Sequence, residues 1–305
     1  MELNLSDDQR AILEALDSLC RRYDSVPLHH AGLVLTSDAL DNELAEGGFL
    51  DVGLMAGLGA ETAALVVERL ARLPYTVEAA MSALIRPLLG GDLSRPLCLV
   101  EAGKLTRPVR FLKSGATVVV VGEAVHSFTA RPEHAAAFGD EPLYAYPMAR
   151  LTHLPDDLRI HDIFPNTLRA RWRVALAAEA AGLLAAGLAS VTAYVSERKQ
   201  FGRPLATFQA LRHRLAEAQV LTNGAYWLAL KAAATHDPGD AALAALHAQD
   251  AARRVTYDFH QFLGAMGMTL EHPLHLWTYR LKALIGELGG HGAQGLAAAE
   301  ALWGS

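Results

Sequence analysis

Arg198, Gly202 and Gln209 lie in the segment Tyr194-Val-Ser-Glu-Arg198-Lys-Gln-Phe201-Gly202-Arg-Pro-Leu-Ala-Thr-Phe208-Gln209, which sets a permanent cation, a helix-breaking glycine and an amide at fixed spacing. Arginine presents a rigid fork of donors that matches phosphate oxygens, and Phe201 adds an aromatic face nearby. A second segment, Gln261-Phe-Leu-Gly264-Ala265-Met-Gly267-Met-Thr-Leu-Glu271-His272-Pro273-Leu, offers backbone amides at Gly264 and Ala265 that can donate to further anion oxygens. The methyl group of Ala265 narrows the room for a close approach there. A purely local reading competes: Arg198 paired with Glu197 or Glu217 on a solvated face, Gly202 merely ending a helix, and Gln261 a satisfied polar residue.

Other chemistries lack their residues. Gly290-His-Gly292-Ala-Gln-Gly295 matches the dinucleotide fingerprint GxGxxG in letters, but a helical pattern rather than a strand precedes it, so it reads as a flexible turn. The 13 histidines include His29-His30 and the pair His272 and His275, yet no HExxH and no Cys-His cluster supports zinc. His272 is expected to pack. No nucleophile elbow or phosphate-binding P-loop occurs. A net charge of −6 argues against a broad nucleic-acid-binding surface. The two cysteines, Cys20 and Cys98, form no framework, which fits reduced, core-packed thiols and a cytoplasmic setting. The acidic start lacks a signal-peptide pattern. The apolar run Val174–Val195 contains Glu179 and many alanines, so a buried helix explains it better than a membrane span.

The elements that must position these residues are mostly helical. Ser6-Asp-Asp-Gln9 reads as a capping box ahead of Ile12, Leu13, Leu16, Leu19 and Cys20 on one face. Ser37 and Asp38 cap a short helix through Leu44, and Glu61–Leu73 is a third. From Pro96 the pattern changes to strands: Leu97–Val100, Pro108-Val-Arg-Phe-Leu, Ala116–Val121 and Val125-His-Ser-Phe-Thr, with a polar linker over Pro155–Pro165. Four helices follow: Asn166 or Thr167 to Gln200, Thr207 to Thr235, the Asp237 turn to Leu263, and Leu274 to Leu288. Long helices with short connections predict an antiparallel four-helix bundle. The expected class is mainly α with a small β unit, divided at 1–96, 97–160 and 161–305.

The two segments resemble the Arg-x-x-Phe-Gly…Phe-Gln and Gln-x-x-Gly-Gly-x-Gly blocks of the acyl-CoA dehydrogenase family, with Ala265 in place of the second glycine. The order of helices, β unit and bundle is similar to that family too. The resemblance implies FAD, with Arg198 at its pyrophosphate, Gln209 on its adenosine side, and Phe201, Gly202, Gln261, Gly264 and Ala265 completing that end. In such proteins these bundle residues reach across an interface to a flavin held by a neighbouring subunit. The middle unit departs from the family: no Thr-Glu-Pro type segment is visible, and Trp172, Trp227, Trp277 and Trp303 all lie beyond it. The chain therefore resembles the short subunits of heteromeric bacterial members that act on bulky CoA thioesters, including steroid side chains. That implies a longer homologous partner, an α2β2 assembly, an acyl-CoA substrate, and an electron-transfer flavoprotein or similar acceptor.

Dehydrogenation needs a carboxylate to take the α-proton. One family position for it falls on Trp172, which has no basic group, and the other falls near Leu288 or Gly289, next to Glu287. Glu287 is one candidate base, against a solvated surface role. Glu179 is the second: it lies seven residues beyond Trp172 on nearly the same helix face among alanines, about 10 Å along the axis, against a structural hydrogen-bonded role. Two other readings stay open: a self-sufficient homo-oligomer using Glu287 or Glu179, and a structural paralogue that binds no flavin.

Overall fold

The computed structural model describes residues 4–27, 30, 32–137 and 144–304; His29 lies outside them. The capping box forms as expected: the Gln9 amide donates to Ser6 Oγ at 3.1 Å and the Ser6 amide to Gln9 Oε1 at 2.9 Å, starting α1 (Asp7–Cys20). Leu13, Leu16 and Leu19 bury along one side of it. Ser37 Oγ accepts from the Leu40 amide and opens α2 (Asp38–Glu46). α3 (Gly59–Ala71) and α4 (Ala80–Leu84) complete the N-terminal helices.

The β unit is two small sheets. β1 (Leu97–Glu101), β3 (Thr117–Val121), β4 (Val125–Thr129) and β7 (Arg159–His161) form one, in the order β1-β3-β4-β7, with β1 and β3 parallel. β2 (Pro108–Arg110), β6 (Met148–Leu151) and β5 (Ala135–Ala137) form the other, antiparallel in the order β2-β6-β5. The uninterrupted Thr-Val-Val-Val-Val run of β3 is buried on both faces, as a covered strand must be. Val119 and Val121 face the main core shared with the helices, while Val118 and Val120 join Cys98, Val100 and Phe128 in a second cluster with the other sheet. The polar stretch expected as linker contains β7, which pairs with β4 by antiparallel register from Val125↔His161 to Ser127↔Arg159. Its alternation of charged and apolar residues suited a sheet edge, which is why polarity alone read as linker.

The C-terminal helices are α5 (Pro165–Glu197), α6 (Gln209–Thr235), α7 (Pro238–Leu263) and α8 (Leu274–Ile285), close to the expected spans. α5 ends three residues earlier than expected because Lys199–Gln200 (β8) pairs with Arg203–Pro204 (β9) in a hairpin whose turn, Phe201-Gly202, has φ of 55° and 78°. α5 is apolar all round because α3 packs on one side and α6 and α7 on the others. It is long and apolar enough to cross a membrane by length and composition, but 78% of its most apolar window is buried inside the protein. Gly182 lets α5 touch α3: a Cβ there would sit 2.1 Å from the Glu68 carbonyl oxygen.

Gly290–Gly295, expected as a flexible turn, instead begins α9 (Gly290–Trp303). The alanine-rich run after Gly295 sustains the helix. Gln294 anchors its first turns, donating to the Leu288 carbonyl at 2.8 Å and accepting from Arg173 Nε at 2.7 Å. Tertiary contacts thus overrode a glycine-rich local pattern. The helix α8 precedes it, so the dinucleotide fingerprint fails as expected.

Candidate functional site

Strands β1 and β2, the start of α4, the N-terminal half of α5 and the loop after α8 enclose a cavity of about 590 Å³. β1 and β2 line one side of it. Arg110, the last residue of β2, enters this space and is almost wholly buried. Its Nη1 donates to Glu179 Oε2 at 3.0 Å and Oε1 at 3.2 Å, and its Nε lies 2.6 Å from Glu287 Oε1. Tyr146 Oη donates to Glu179 Oε1 at 2.7 Å, and its ring lies beneath the guanidinium at 4.7 Å. The Trp172 indole Nε1 donates to Glu287 Oε2 at 3.1 Å.

Each partner is placed by its element. Trp172 and Glu179 share one face of α5, two turns apart, so each meets a different end of the Arg110 pair. Glu287 sits in a short turn that Gln249 holds from α7 by donating to the Leu284 and Glu287 carbonyls at 2.9 and 3.0 Å. Leu288, Gly289 and Gly290 then run at positive φ (51°, 87° and 72°), an uncommon conformation for the leucine. Buried Arg280 ties the same region to the segment after α3 by donating to the Leu73 and Tyr75 carbonyls at 2.6 and 3.1 Å.

The electrostatics follow from burial and pairing. Burial pushes the Glu287 carboxyl above its ordinary value; Arg110 opposes that rise, nearby Glu179 adds to it, and the Trp172 hydrogen bond opposes it. Burial works against the charge of Arg110, but Glu179 and Glu287 outweigh it and hold the guanidinium firmly protonated. Burial, then Glu179, raises the Tyr146 phenol well above its usual range. Glu287 is not a solvated surface residue: its side chain is 18% exposed and lines the cavity.

The phosphate-binding candidates lie elsewhere. Arg198 caps the C-terminus of α5, exposed, and among the described residues no ion pair joins it to Glu197 or Glu217; Glu217 lies 4.0 Å from Arg214. Phe201 is 87% exposed and meets Phe208 edge-on, with ring centroids 6.1 Å apart. Gly202 is the second residue of the hairpin turn, and Gln209 opens α6, exposed. Gln261 lies in the last turn of α7; Gly264 ends it with φ 58° and ψ −132°, and Ala265 is exposed just beyond. A Cβ at Gly264 would meet nothing within 4 Å. Tyr194 meets His272 edge-on at 5.5 Å, so the two sequence blocks lie at one end of the bundle, and His272 packs as expected. An exposed arginine with no acidic partner among the described residues, beside open backbone, fits an anionic phosphate. From Glu179 to Arg198 is 19 helical residues, about 28 Å, so one compact ligand cannot span both places within a single copy.

Arg110, Tyr146 and the indole of Trp172 were missed by sequence reasoning. The signal available was Arg110 itself, a cation inside the apolar strand Pro-Val-Arg-Phe-Leu. Its partners are remote in sequence, and no periodicity marks them. Among the described residues no cluster of metal-ligating side chains occurs.

The profile described as "Acyl-CoA dehydrogenase, C-terminal domain" matches residues 168–296. Acyl-CoA dehydrogenase IpdE2 of Mycolicibacterium smegmatis is 30% identical over 217 residues, covering 64% of this chain and 66% of that protein. Acyl-CoA dehydrogenase FadE34 of Mycobacterium tuberculosis is 33% identical over 163 residues, covering 50% of this chain but 23% of that protein. The aligned part thus spans from about a quarter to about two-thirds of these relatives. A chain in the crystal structure of the ChsE4-ChsE5 complex from Mycobacterium tuberculosis superposes over the full length of both chains with a TM-score of 0.76 at 18% identity, a likeness of fold.

Proposed function

Because this chain belongs to the acyl-CoA dehydrogenase family, we propose that it is a subunit of a FAD-dependent acyl-CoA dehydrogenase in which two sites of one chain serve two different flavins. The observation that carries this reading is the separation between the exposed Arg198 end of the bundle and the carboxylate-lined cavity at the other end of α5. The exposed end contributes to the adenosine and pyrophosphate side of a flavin site shared with a longer homologous subunit: Arg198 holds phosphate oxygens, Gln209 and Gln261 donate amides, and Gly202, Gly264 and Ala265 leave the backbone open beside Phe201. The likeness to a chain of the ChsE4-ChsE5 complex supports a partner of this kind. We place the assembly in the cytoplasm as α2β2, where the free thiols Cys20 and Cys98 stay reduced.

Within the cavity, Glu287 is the proton acceptor. It takes the α-proton of the thioester as that C–H bond breaks; the released electron pair becomes the new double bond and the β-hydrogen departs with its pair. FAD, when bound, would supply the acceptor for that hydride, and the two electrons would then pass to an electron-transfer flavoprotein or similar partner. Trp172 and Arg110 aim the carboxylate, and apolar walls from Val109, Leu97 and Met81 keep water from the reacting carbons. Glu179 is the alternative base, though Tyr146 and both Arg110 contacts already occupy it.

A specific observation favours a second reading: one chain carries both the cavity and the exposed set, so two copies of it suffice for complete sites in a homo-oligomer. Expression with a longer homologous dehydrogenase, then size exclusion followed at protein and flavin wavelengths, separates the two. Co-elution of unlike chains with about one flavin per pair, and none on this chain alone, supports the shared site; a flavin-loaded homo-oligomer supports self-sufficiency; a complex with flavin that is indifferent to Arg198 supports a purely structural role.

A further inference from the structure

The cavity holds an unequal set of charges. One guanidinium, Arg110, faces two carboxylates, Glu179 and Glu287, so with both ionised the cluster carries a buried net charge of −1. The donors are divided between them. Glu179 receives two contacts from Arg110 Nη1 and one from Tyr146 Oη; Glu287 receives Arg110 Nε and the Trp172 indole.

Of the charges around Glu287, Arg110 and Glu179 act on it most strongly. On the β2 side, Arg107 is exposed and reaches only the Gly286 carbonyl at 3.4 Å. At the end of β1, Glu101 pairs with Lys104. Beside α4, Glu78 is held by the Ser82 hydroxyl and the Ser82 and Leu97 amides, with Arg95 3.7 Å away. On α8, buried Arg280 donates to the carbonyls of Leu73, Tyr75 and Leu276 but keeps its charge, which acts on Glu179 and Tyr146. On α7, Gln249 is neutral, and on α9 the only titratable group near the turn, His291, is exposed. Arg110 is therefore the counter-charge of Glu287, and Glu179 is its competitor.

We propose that Arg110 and Glu179 form a positioning pair for Glu287, in which Glu179 draws the shared guanidinium toward itself and thereby sets how readily Glu287 takes up a proton. This rests on Glu287 being the proton acceptor of the proposed reaction. When Glu287 accepts a proton, Arg110 and Glu179 remain as a matched pair and no unpaired charge is left in the cavity. When Glu287 is ionised, the excess negative charge stays buried, which favours proton uptake. A carboxylate bound to Arg110 alone would be a poorer base. Glu179 thus acts through Arg110 without touching the reacting carbons.

The indole of Trp172 reports the ionisation of Glu287 with neither flavin nor substrate. The chain has four tryptophans, so a 15N-indole correlation spectrum of the purified full chain holds few signals, and Trp172→Phe assigns the relevant one. In the parent protein that signal shifts with pH as Glu287 titrates, and in Glu287→Gln the shift disappears. Glu179→Gln gives Arg110 wholly to Glu287, and the midpoint falls by about one pH unit, tenfold in proton affinity. Arg110→Met removes the counter-charge and the midpoint rises by at least as much. An unmoved midpoint in Glu179→Gln, or a rise, overturns the proposal, and that arm decides alone if Arg110→Met does not fold. A structural role for Glu179 would alter stability without moving the midpoint downward. Full turnover by Glu287→Gln in the flavin-loaded complex would sink the base assignment instead, while leaving the coupling read at the indole intact.

Discussion

Trp172 and Glu287, 115 residues apart in the chain, are joined by a hydrogen bond of 3.1 Å from the indole to the carboxylate. The two positions where the family resemblance placed a base are therefore neighbours in space. One carries no basic group, and its side chain orients the carboxylate beside the other. The long helix α5 and the turn after α8 meet at this contact, and Gln249 fixes the turn from a third helix.

Glu287→Gln keeps the size and the indole acceptor but removes the base. Turnover in the flavin-loaded complex is expected to fall at least about 100-fold, within the range of general-base catalysis, with flavin content and melting temperature little changed. Steady-state rates with a saturating acyl-CoA check this, and loss of flavin along with activity would point to a structural role.

Arg198→Ala and Gln209→Ala test the opposite end of the bundle. Both residues are exposed, so the fold should be as stable as before. A charge-assisted contact to phosphate contributes about 1.5–3 kcal/mol, which predicts flavin affinity weakened about 10- to 100-fold for the arginine variant and less for the amide. The ratio of flavin to protein after gel filtration measures it; unchanged occupancy in the double variant would remove these residues from the cofactor site.

These two ends differed in how much of them a sequence can display. The Arg198 to Gln209 block is contiguous, and its spacing survived into the structure with one change, the hairpin β8–β9 where helix was expected. The bundle was legible because α5 to α8 are helices joined by short connections, and the Asp237 turn marked the start of α7 as the Ser6 capping box marked that of α1. The cavity was half legible. Glu179 stood out among alanines and Glu287 by lying next to a position of the family resemblance, but Arg110 and Tyr146 reach them from strands and loops far along the chain. Pairing across such distances has no local signature. The helix α9 was hidden for a related reason, since Gln294 secures it through Arg173 and the Leu288 carbonyl.

Glu78 gives a pH test with a defined sign. Burial raises its carboxyl above the ordinary value of 4.5, against the opposing effects of Arg95, the Ser82 hydroxyl and the Leu97 and Ser82 amides. A group whose proton is held more tightly in the folded state adds stability that is present below the ordinary value and lost as pH rises through the raised one. The melting temperature of the parent relative to Glu78→Gln is therefore expected to be highest near pH 4 and to decline as pH rises. Paired thermal scans across the acid range check this; a difference that grows with pH would contradict it.

Gly182 is the point where α5 and α3 come closest. A Cβ placed there would lie 2.1 Å from the Glu68 carbonyl oxygen and 2.7 Å from the Ala71 Cβ, neither of which is the end of a flexible side chain. Gly182→Ala must push the two helices apart, against the gain that alanine normally gives within a helix. Overpacking of this kind costs about 1–3 kcal/mol. The same shift would move Glu179, three residues earlier on α5, against Arg110 and Tyr146. The variant is expected to unfold at lower denaturant concentration with an unchanged slope, and to lose turnover beyond what its folded fraction explains. Equal stability to the parent would mean that the helices can separate there without strain.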